Sequence, residues 1–504
     1  MLNSQTSAFK IIGYYVGKII TVLAILQILP IITSIVYKEW DIVFDFTISM
    51  SLALILGSLL VIFFNSARRR KIDWSHGMII AALSWFAGMI LCAIPYYLSG
   101  NFNSFLDSLF DVMSGFTTTG VVLIQDLDHV SNGINMWRHV LTYLGGQGMV
   151  VLALTFLVKS TSGSYRMYVG EAKDEQLLPN VINTSKAIWF ISIAYLVFGT
   201  IVLWVTGIFI GLPVDKAFLD GLWVFMAAWS TGGFAPHTQN ILYYHSLWYE
   251  LATVVFFVIG SFNFALHFAL WNKNRKEIVR NIEIQSMSIT VTILTIITIA
   301  GLMKLNVYPN IVSTFRKGFY LLISGHTTTG FMTIYAKQFF TEWGNLALFA
   351  VIIAMLIGGS ACSTAGGFKG LRMGIIFKGF FRDVKRIILP ESRVQIDKFH
   401  HIGDTVLEDK HLRSAMLIVL AYILTFAIGT LAGVFFGYPL SSAAFESASV
   451  TGNVGLSIGI TTPGMPNALK IIYIIIMWVA RLEFMSVFAL VTYIFTGARR
   501  RWLH

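Results

Sequence analysis

Four short strings in this chain run from small or hydroxylated residues into a glycine and then an apolar residue. They are Thr117-Thr118-Thr119-Gly120-Val121, Ser230-Thr231-Gly232-Gly233-Phe234, Thr327-Thr328-Thr329-Gly330-Phe331 and Gly452-Asn453-Val454-Gly455-Leu456. None carries a carboxylate, imidazole or thiol, so any ligand chemistry must come from backbone carbonyls, with threonine hydroxyls in support. Rings of such oxygens can replace the water shell of a monovalent cation. Glycine supplies the backbone conformations closed to residues with a side chain. Four such strings in one chain predict four pore loops around one axis, and hence a single-polypeptide cation pore.

Aligned on Gly120, Gly233, Gly330 and Gly455, the segments share more. Ten residues upstream stand the aromatics Phe110, Trp223, Tyr320 and Phe445; six upstream stand Ser114, Ala227, Ser324 and Ser449, all small. The glycines lie 113, 97 and 125 residues apart, room each time for helix, loop and helix. Four copies in register read as internal duplication. Pore helices are predicted over 105–116, 217–229, 314–326 and 441–451, each reaching about half-way across a bilayer at about 1.5 Å per residue.

Hydrophobic residues make up 56% of the 504 and charged ones 12%. That balance is too apolar for a water-soluble globule, and runs of about twenty apolar residues mark a polytopic membrane protein. Spans are predicted near 11–37, 42–65, 76–99, 135–158, 187–208, 246–271, 284–303, 343–377, 411–436 and 469–496. The expected fold is all-α: a transmembrane pair over 1–66, then helix–pore loop–helix repeats over 67–165, 166–275, 276–390 and 391–504. No stretch reads as a cleaved signal peptide, because the first apolar run is too long and lacks a small-residue cleavage site.

The formal charge of +11 would suit a nucleic-acid partner, but its distribution argues otherwise. Bases cluster at Arg68-Arg69-Arg70-Lys71, Lys273 to Arg280, Lys378 to Arg413 and Arg499-Arg500-Arg501. With both termini in the cytoplasm, all four clusters fall on one side, as the positive-inside rule requires. The excess is topological, and no nucleic-acid partner is expected. An acidic outer face would concentrate cations modestly. Cys92 and Cys362 argue for neither a disulfide framework nor a metal site.

Asp107, Asp111, Asp220 and Glu446 lie just above the strings and read as pore-helix caps and a solvated outer rim. His267 and His326 read as packed, hydrogen-bonded side chains. Gly145-Gly146-Gln147-Gly148 lacks the Lys-Ser/Thr of a phosphate loop and follows a membrane helix, so close helix packing is its reading. The stretch from Ile357 to Lys369 is dense in Gly, Ser, Thr and Ala and cannot sustain a good helix. At mid-membrane depth it should face a cavity, unless it is a small-residue helix interface. Arg481 sits inside the last apolar span, where a charge costs about 2.5–3.5 kcal/mol and is functional or paired. Glu483, two residues on, does not share its helix face.

These strings resemble those of the Trk/Ktr/HKT superfamily of K⁺ transporters over essentially the whole chain, and the added N-terminal pair is similar to its TrkH/TrkG branch. The resemblance implies potassium uptake across a bacterial plasma membrane. It implies K⁺, the transported ion and the one metal expected, held by carbonyls of Thr118, Thr119, Thr231, Gly232, Thr328, Thr329, Asn453 and Val454, beside Gly120, Gly233, Gly330 and Gly455. Further, Gly358, Gly359, Ser360, Ser363, Thr364, Gly366 and Gly367 would form an intramembrane gating loop, and Arg481 an electrostatic barrier below the filter. A homodimer and a cytosolic nucleotide-binding regulator of the TrkA type are the implied partners. No nucleotide motif lies in this chain and no organic cofactor is expected. The fourth string departs from the Thr-rich type, so fourfold symmetry should be approximate.

A Na⁺-permeable or H⁺/Na⁺-coupled symporter on the same fold stays open, because carbonyl spacing is not written in residue types. A membrane-embedded transferase would need carboxylates or histidines clustered at a membrane face, and the sequence offers no such cluster. A non-conducting scaffold would leave four glycine-terminated half-helices unexplained.

Overall fold

A computed structural model of the chain describes residues 2–68, 70, 72–148, 151, 181–388 and 397–501. Among them six helices are long and apolar enough to cross a membrane: Ala8–Val36, Trp40–Phe63, Trp74–Leu98, Ile182–Phe209, Ile282–Lys304 and Asp409–Phe435. In five of them most of the apolar window faces outward, while Trp74–Leu98 buries 67% of its own. Trp40–Phe63 has a mean hydropathy of 2.4 yet buries only 22% of its apolar window, leaving Phe44, Leu52 and Ile55 on the outside. That is the arrangement for hydrocarbon as solvent, where apolar surface gains nothing by being hidden. Apart from one antiparallel hairpin, Lys398–His401 with Gly403–Val406, the described chain is helical.

Two spans expected to be continuous are broken, and a third divides at the glycine-rich stretch, as expected. Leu247–Gly260 and Phe264–Trp271 meet at 99°, and Asn467–Arg481 and Met485–Phe495 at 114°. The stretch 343–377 divides into Gly344–Ile357 and Gly370–Ile388, with the glycine-rich segment between. Hydropathy misses such breaks because both halves are apolar; they are made by backbone and caps. Asn263 accepts a hydrogen bond from the Ala265 amide and restarts the first helix pair. Glu483 and Phe484 turn the second at φ 49° and 70°. The expected span over 135–158 is described as the helix Asn132–Gln147, and most of its remainder lies outside the described residues.

The N-terminal helices cross closely at glycines: a Cβ on Gly17 would lie 2.9 Å from the Gly57 carbonyl oxygen. Glu39, between the two, ties the pair to the rest. Its carboxylate accepts from the Asn132 and Gly133 amides at 2.8 and 3.0 Å, satisfying free N–H groups at the positive end of helix Asn132–Gln147.

The four short helices are Phe105–Phe116, Val214–Trp229, Ile311–His326 and Leu440–Gly452. At 12, 16, 16 and 13 residues they span about 18–24 Å, less than the roughly 30 Å hydrocarbon core. The second and third begin three residues before the predicted positions. Pro213 precedes one, and Asn310 caps the other by accepting from the Ser313 amide at 2.8 Å, so each helix starts at its cap rather than at its first apolar residue.

Candidate functional site

Each short helix ends in the same turn. The amide one residue before the glycine donates to the carbonyl six residues before it: Thr119 to Ser114, Gly232 to Ala227, Thr329 to Ser324 and Val454 to Ser449, at 2.8–2.9 Å. The residue two before the glycine is left-handed in all four copies, with φ of 55° at Thr118, 50° at Thr231, 56° at Thr328 and 53° at Asn453. The glycines follow at φ 83°, 65°, 83° and 98°. Those conformations are costly for residues with a Cβ.

The glycines also show how the copies meet. A Cβ on Gly120 would overlap the Gly232 carbonyl oxygen, on Gly233 that of Thr329, on Gly330 that of Val454, and on Gly455 that of Thr119. Each glycine abuts the carbonyl preceding the next copy's glycine, and the fourth returns to the first. The four strands therefore form one closed ring in chain order, with no room at any joint for a side chain.

Hydroxyls hold the first and third strands alike. Ser114 and Ser324 donate to the carbonyls of Val121 and Phe331 at 2.7 and 2.8 Å. Thr117 pairs with Thr119 at 2.8 Å and Thr327 with Thr329 at 2.9 Å. In the fourth copy Val454 has no hydroxyl, and Asn453 reaches sideways instead, donating to Thr119 Oγ1 at 3.0 Å and to the Met477 carbonyl at 3.1 Å.

The segment 358–369 lies directly against this ring. The Gly366 amide donates to Thr328 Oγ1 at 2.8 Å. Thr364 Oγ1 donates to the Gly260 carbonyl at 2.8 Å and lies 3.2 Å from Thr231 Oγ1. A Cβ on Gly366 would approach Asn453 Cβ to 3.0 Å. Ser363 donates to the Ser360 carbonyl at 2.6 Å, and Ser360 reaches outside the segment, its amide donating to the Ser261 carbonyl at 3.0 Å and its hydroxyl to Met287 Sδ at 3.5 Å. Gly358 packs on Gly366 and Gly367, while Gly359 packs on Ala365. Arg481 closes the group from below, donating to the carbonyls of Thr364 at 2.6 Å and Gly145 at 2.8 Å. Glu483 pairs with Arg372 rather than with Arg481. Gly145 and Gly146 pack against Phe116 and Ser230 at the first two strands.

The acids are not a solvated rim. Asp107, Asp111, Asp220 and Glu446 are all buried. Asp107 accepts from Lys470 at 2.6 Å, and Asp111 lies 3.6 Å from Arg138 Nε. Asp220 meets His237 Nε2 at 3.0 Å, and Glu446 binds the arm beyond the fourth strand. The caps are Ser104, Asn310 and the prolines 213 and 439 instead. Asp128, in the loop after the first strand, faces the other ring nitrogen of His237 at 2.6 Å. Partial burial opposes its charge, but hydrogen bonds from His237 and Thr238 hold the carboxyl below its ordinary value. Arg138, missed in the sequence, also lies over the Phe234 ring at 4.5 Å and donates to the Ala235 carbonyl; as the one Arg, Lys, Asp or Glu in helix Asn132–Gln147 it was the available signal. His267 and His326 are buried and hydrogen-bonded to the Ile259 carbonyl and Thr290.

Four re-entrant helices closing their strands into one ring, inside a bundle of outward-facing apolar helices, define a multi-pass membrane transport protein rather than an enzyme. The family model for TrkH, described as a cation transport protein, matches residues 42–495, and the chain belongs to that family. An uncharacterised cation transporter of Methanocaldococcus jannaschii is 31% identical over 95% of this chain and 94% of its own. The Trk system potassium uptake protein TrkH of Escherichia coli K12 is 28% identical, over 96% of this chain and 98% of its own. The crystal structure of the potassium transporter TrkH from Vibrio parahaemolyticus shares the fold, with a TM-score of 0.82 and 24% identity over 96% of this chain and 99% of that one.

Proposed function

We propose that this protein takes up potassium across the bacterial plasma membrane, through the ring at Gly120, Gly233, Gly330 and Gly455. The observation that carries the reading is the closure of that ring, each glycine seated against the next copy's carbonyl. K⁺ sheds water onto main-chain oxygens of Thr118, Thr119, Thr231, Gly232, Thr328, Thr329, Asn453 and Val454. The four helix C-termini turn their negative dipole ends toward it. A membrane potential of about 100 mV supplies about 2.3 kcal/mol per charge, enough to drive entry without a nucleotide on this chain.

In the same reading, residues 358–367 are the gate beneath the filter and Arg481 is the barrier that latches it. The chain works as a homodimer with a cytosolic nucleotide-binding regulator of the TrkA type, both termini facing the cytoplasm. The deciding experiment is cation flux into liposomes holding purified protein, comparing K⁺, Rb⁺ and Na⁺ with and without a pH gradient. Uptake of K⁺ and Rb⁺ well above Na⁺, driven by voltage alone, is expected. Equal K⁺ and Na⁺ uptake, or no uptake without a proton gradient, overturns selective voltage-driven entry and favours the coupled symporter.

A further inference from the structure

The fourth strand lacks the serine support of the first and third, and a buried carboxylate stands where it is missing. In the first and third copies the serine six before the glycine donates to the carbonyl one after it. Ser449, the equivalent residue, is used differently: its Oγ accepts from the Gly455 amide at 3.0 Å. That arrangement spends the serine on the glycine and leaves the segment beyond Leu456 to be held from elsewhere.

Glu446 does the holding. It lies nine residues before Gly455, on the fourth short helix, and is fully buried. Oε1 accepts from Ser457 Oγ, from the Ile458 amide at 3.0 Å and from the Ile460 amide at 3.2 Å. Oε2 accepts from Thr461 Oγ1 at 3.0 Å. All four contacts bring donors to the carboxylate, and among the described residues no cation pairs with it. The same position in the other copies is Asp111, Val224 and Leu321. Asp111 faces the Leu123 amide, three after its glycine as Ile458 is three after Gly455, but it also sits against Arg138. In the second copy that position is Pro236, which has no amide to offer. The carboxylate staple is therefore fully formed in the fourth copy, which lacks the serine-to-carbonyl bond of the first and third.

We propose that Glu446 is a positioning residue that sets cation specificity, by fixing the arm Ser457–Thr461 and through it the outer oxygens of the fourth filter strand. This rests on the filter reading above. A strand held at its inner end by Asn453 and at its outer end by Glu446 keeps its carbonyls at one radius. A strand freed at the outer end collapses inward around smaller ions. Two side-chain oxygens take four bonds at once, so one side chain can replace a serine and two threonines.

The test is the K⁺ to Na⁺ uptake ratio of reconstituted protein, in four forms of the chain. Glu446→Asp keeps the charge but withdraws the carboxylate by one methylene; the ratio should fall about tenfold, the equivalent of about 1.4 kcal/mol in discrimination. Thr461→Val removes only the Oε2 bond, and a fall of about threefold is expected. Glu446→Gln keeps an acceptor for the amides and lets the Thr461 hydroxyl turn round, so its ratio should stay within about twofold of the parent. If Glu446→Asp does not fold, Thr461→Val carries the test alone. An unchanged ratio in Thr461→Val and in Glu446→Asp where it folds, with K⁺ and Na⁺ uptake falling together or not at all, overturns the proposal. A parent protein that itself fails to prefer K⁺ counts against the filter reading instead, so the two failures are told apart.

Discussion

Gly330→Ala tests the ring at its tightest joint. The added Cβ would overlap the Val454 carbonyl oxygen and lie 2.9 Å from its carbon and 3.0 Å from Gly455 Cα. Ordinary contact needs about 3.4 Å or more, and backbone on both sides leaves no flexible side chain to yield. A φ of 83° adds about 1–2 kcal/mol for any residue with a Cβ, and overpacking about 1–3 kcal/mol more. The total, about 2–5 kcal/mol, is relieved only by moving the Val454 carbonyl, one of the proposed ligands. If about 1.4 kcal/mol of it reaches the barrier to ion passage, K⁺ uptake falls about tenfold. Gly437→Ala is the control: φ there is 90°, but nothing lies within 4 Å of the new Cβ. It carries the same backbone penalty and should leave uptake and ion preference near the parent's. Both variants are compared by rubidium uptake in liposomes at matched protein content. Full uptake with unchanged ion preference in Gly330→Ala would falsify the ring as the ion path.

Arg481→Gln removes a charge from beneath the ring and the latch to Thr364. For an ion passing about 8 Å from the guanidinium at an effective dielectric of about 20, the repulsion lost is about 2 kcal/mol. K⁺ uptake should rise by up to about thirtyfold, with faster amide exchange over residues 358–367; unchanged flux at normal expression speaks against a barrier. Lys470→Met strands Asp107 in a site where both side chains are 3% exposed, at a cost of about 3–5 kcal/mol. Its thermal midpoint in detergent should drop, and Asp107→Leu in the same chain should recover most of the loss; a drop worth under about 1 kcal/mol contradicts the pairing. In the hairpin, His400 bridges Asp404 at 2.6 Å and Glu277 at 3.0 Å, and those hydrogen bonds raise its pKa above the ordinary 6.5. Glu277 is lowered below 4.5: its burial opposes the charge, but the bonds from His400 and Asn281 prevail. The histidine's contribution is complete below its ordinary value and disappears as pH rises through the raised one, while the carboxylates' disappears on acidification. Amide protection of hairpin residues 398–406 should peak between those limits and weaken above, and His400→Ala should flatten the alkaline side; a profile indifferent to that substitution contradicts the bridge.

What the chain made legible was whatever rests on backbone chemistry and composition. Four glycines in register, small residues six upstream and apolar runs of membrane length identify a re-entrant, fourfold, all-helical membrane protein, because only glycine tolerates φ near 83° against a neighbouring carbonyl. The glycine-rich segment 357–369 and the charge at Arg481 were visible for the same reason: each is expensive in a bilayer and must have a compensating partner.

The identity of those partners was decided only by tertiary structure. Arg481 binds carbonyls 117 and 336 residues away, and no local periodicity connects them. The acids above the strings read as caps and rim because Ser, Asp and Glu near helix starts usually are. In the fold they are buried, where a carboxylate must find donors, and Glu446 finds them on an arm that folds back over it. The 99° and 114° breaks were hidden because two apolar half-helices and one whole helix share a hydropathy profile. Sequence set which residues could line a path for an ion; packing of four non-identical copies against one another set where the oxygens stand and what holds them.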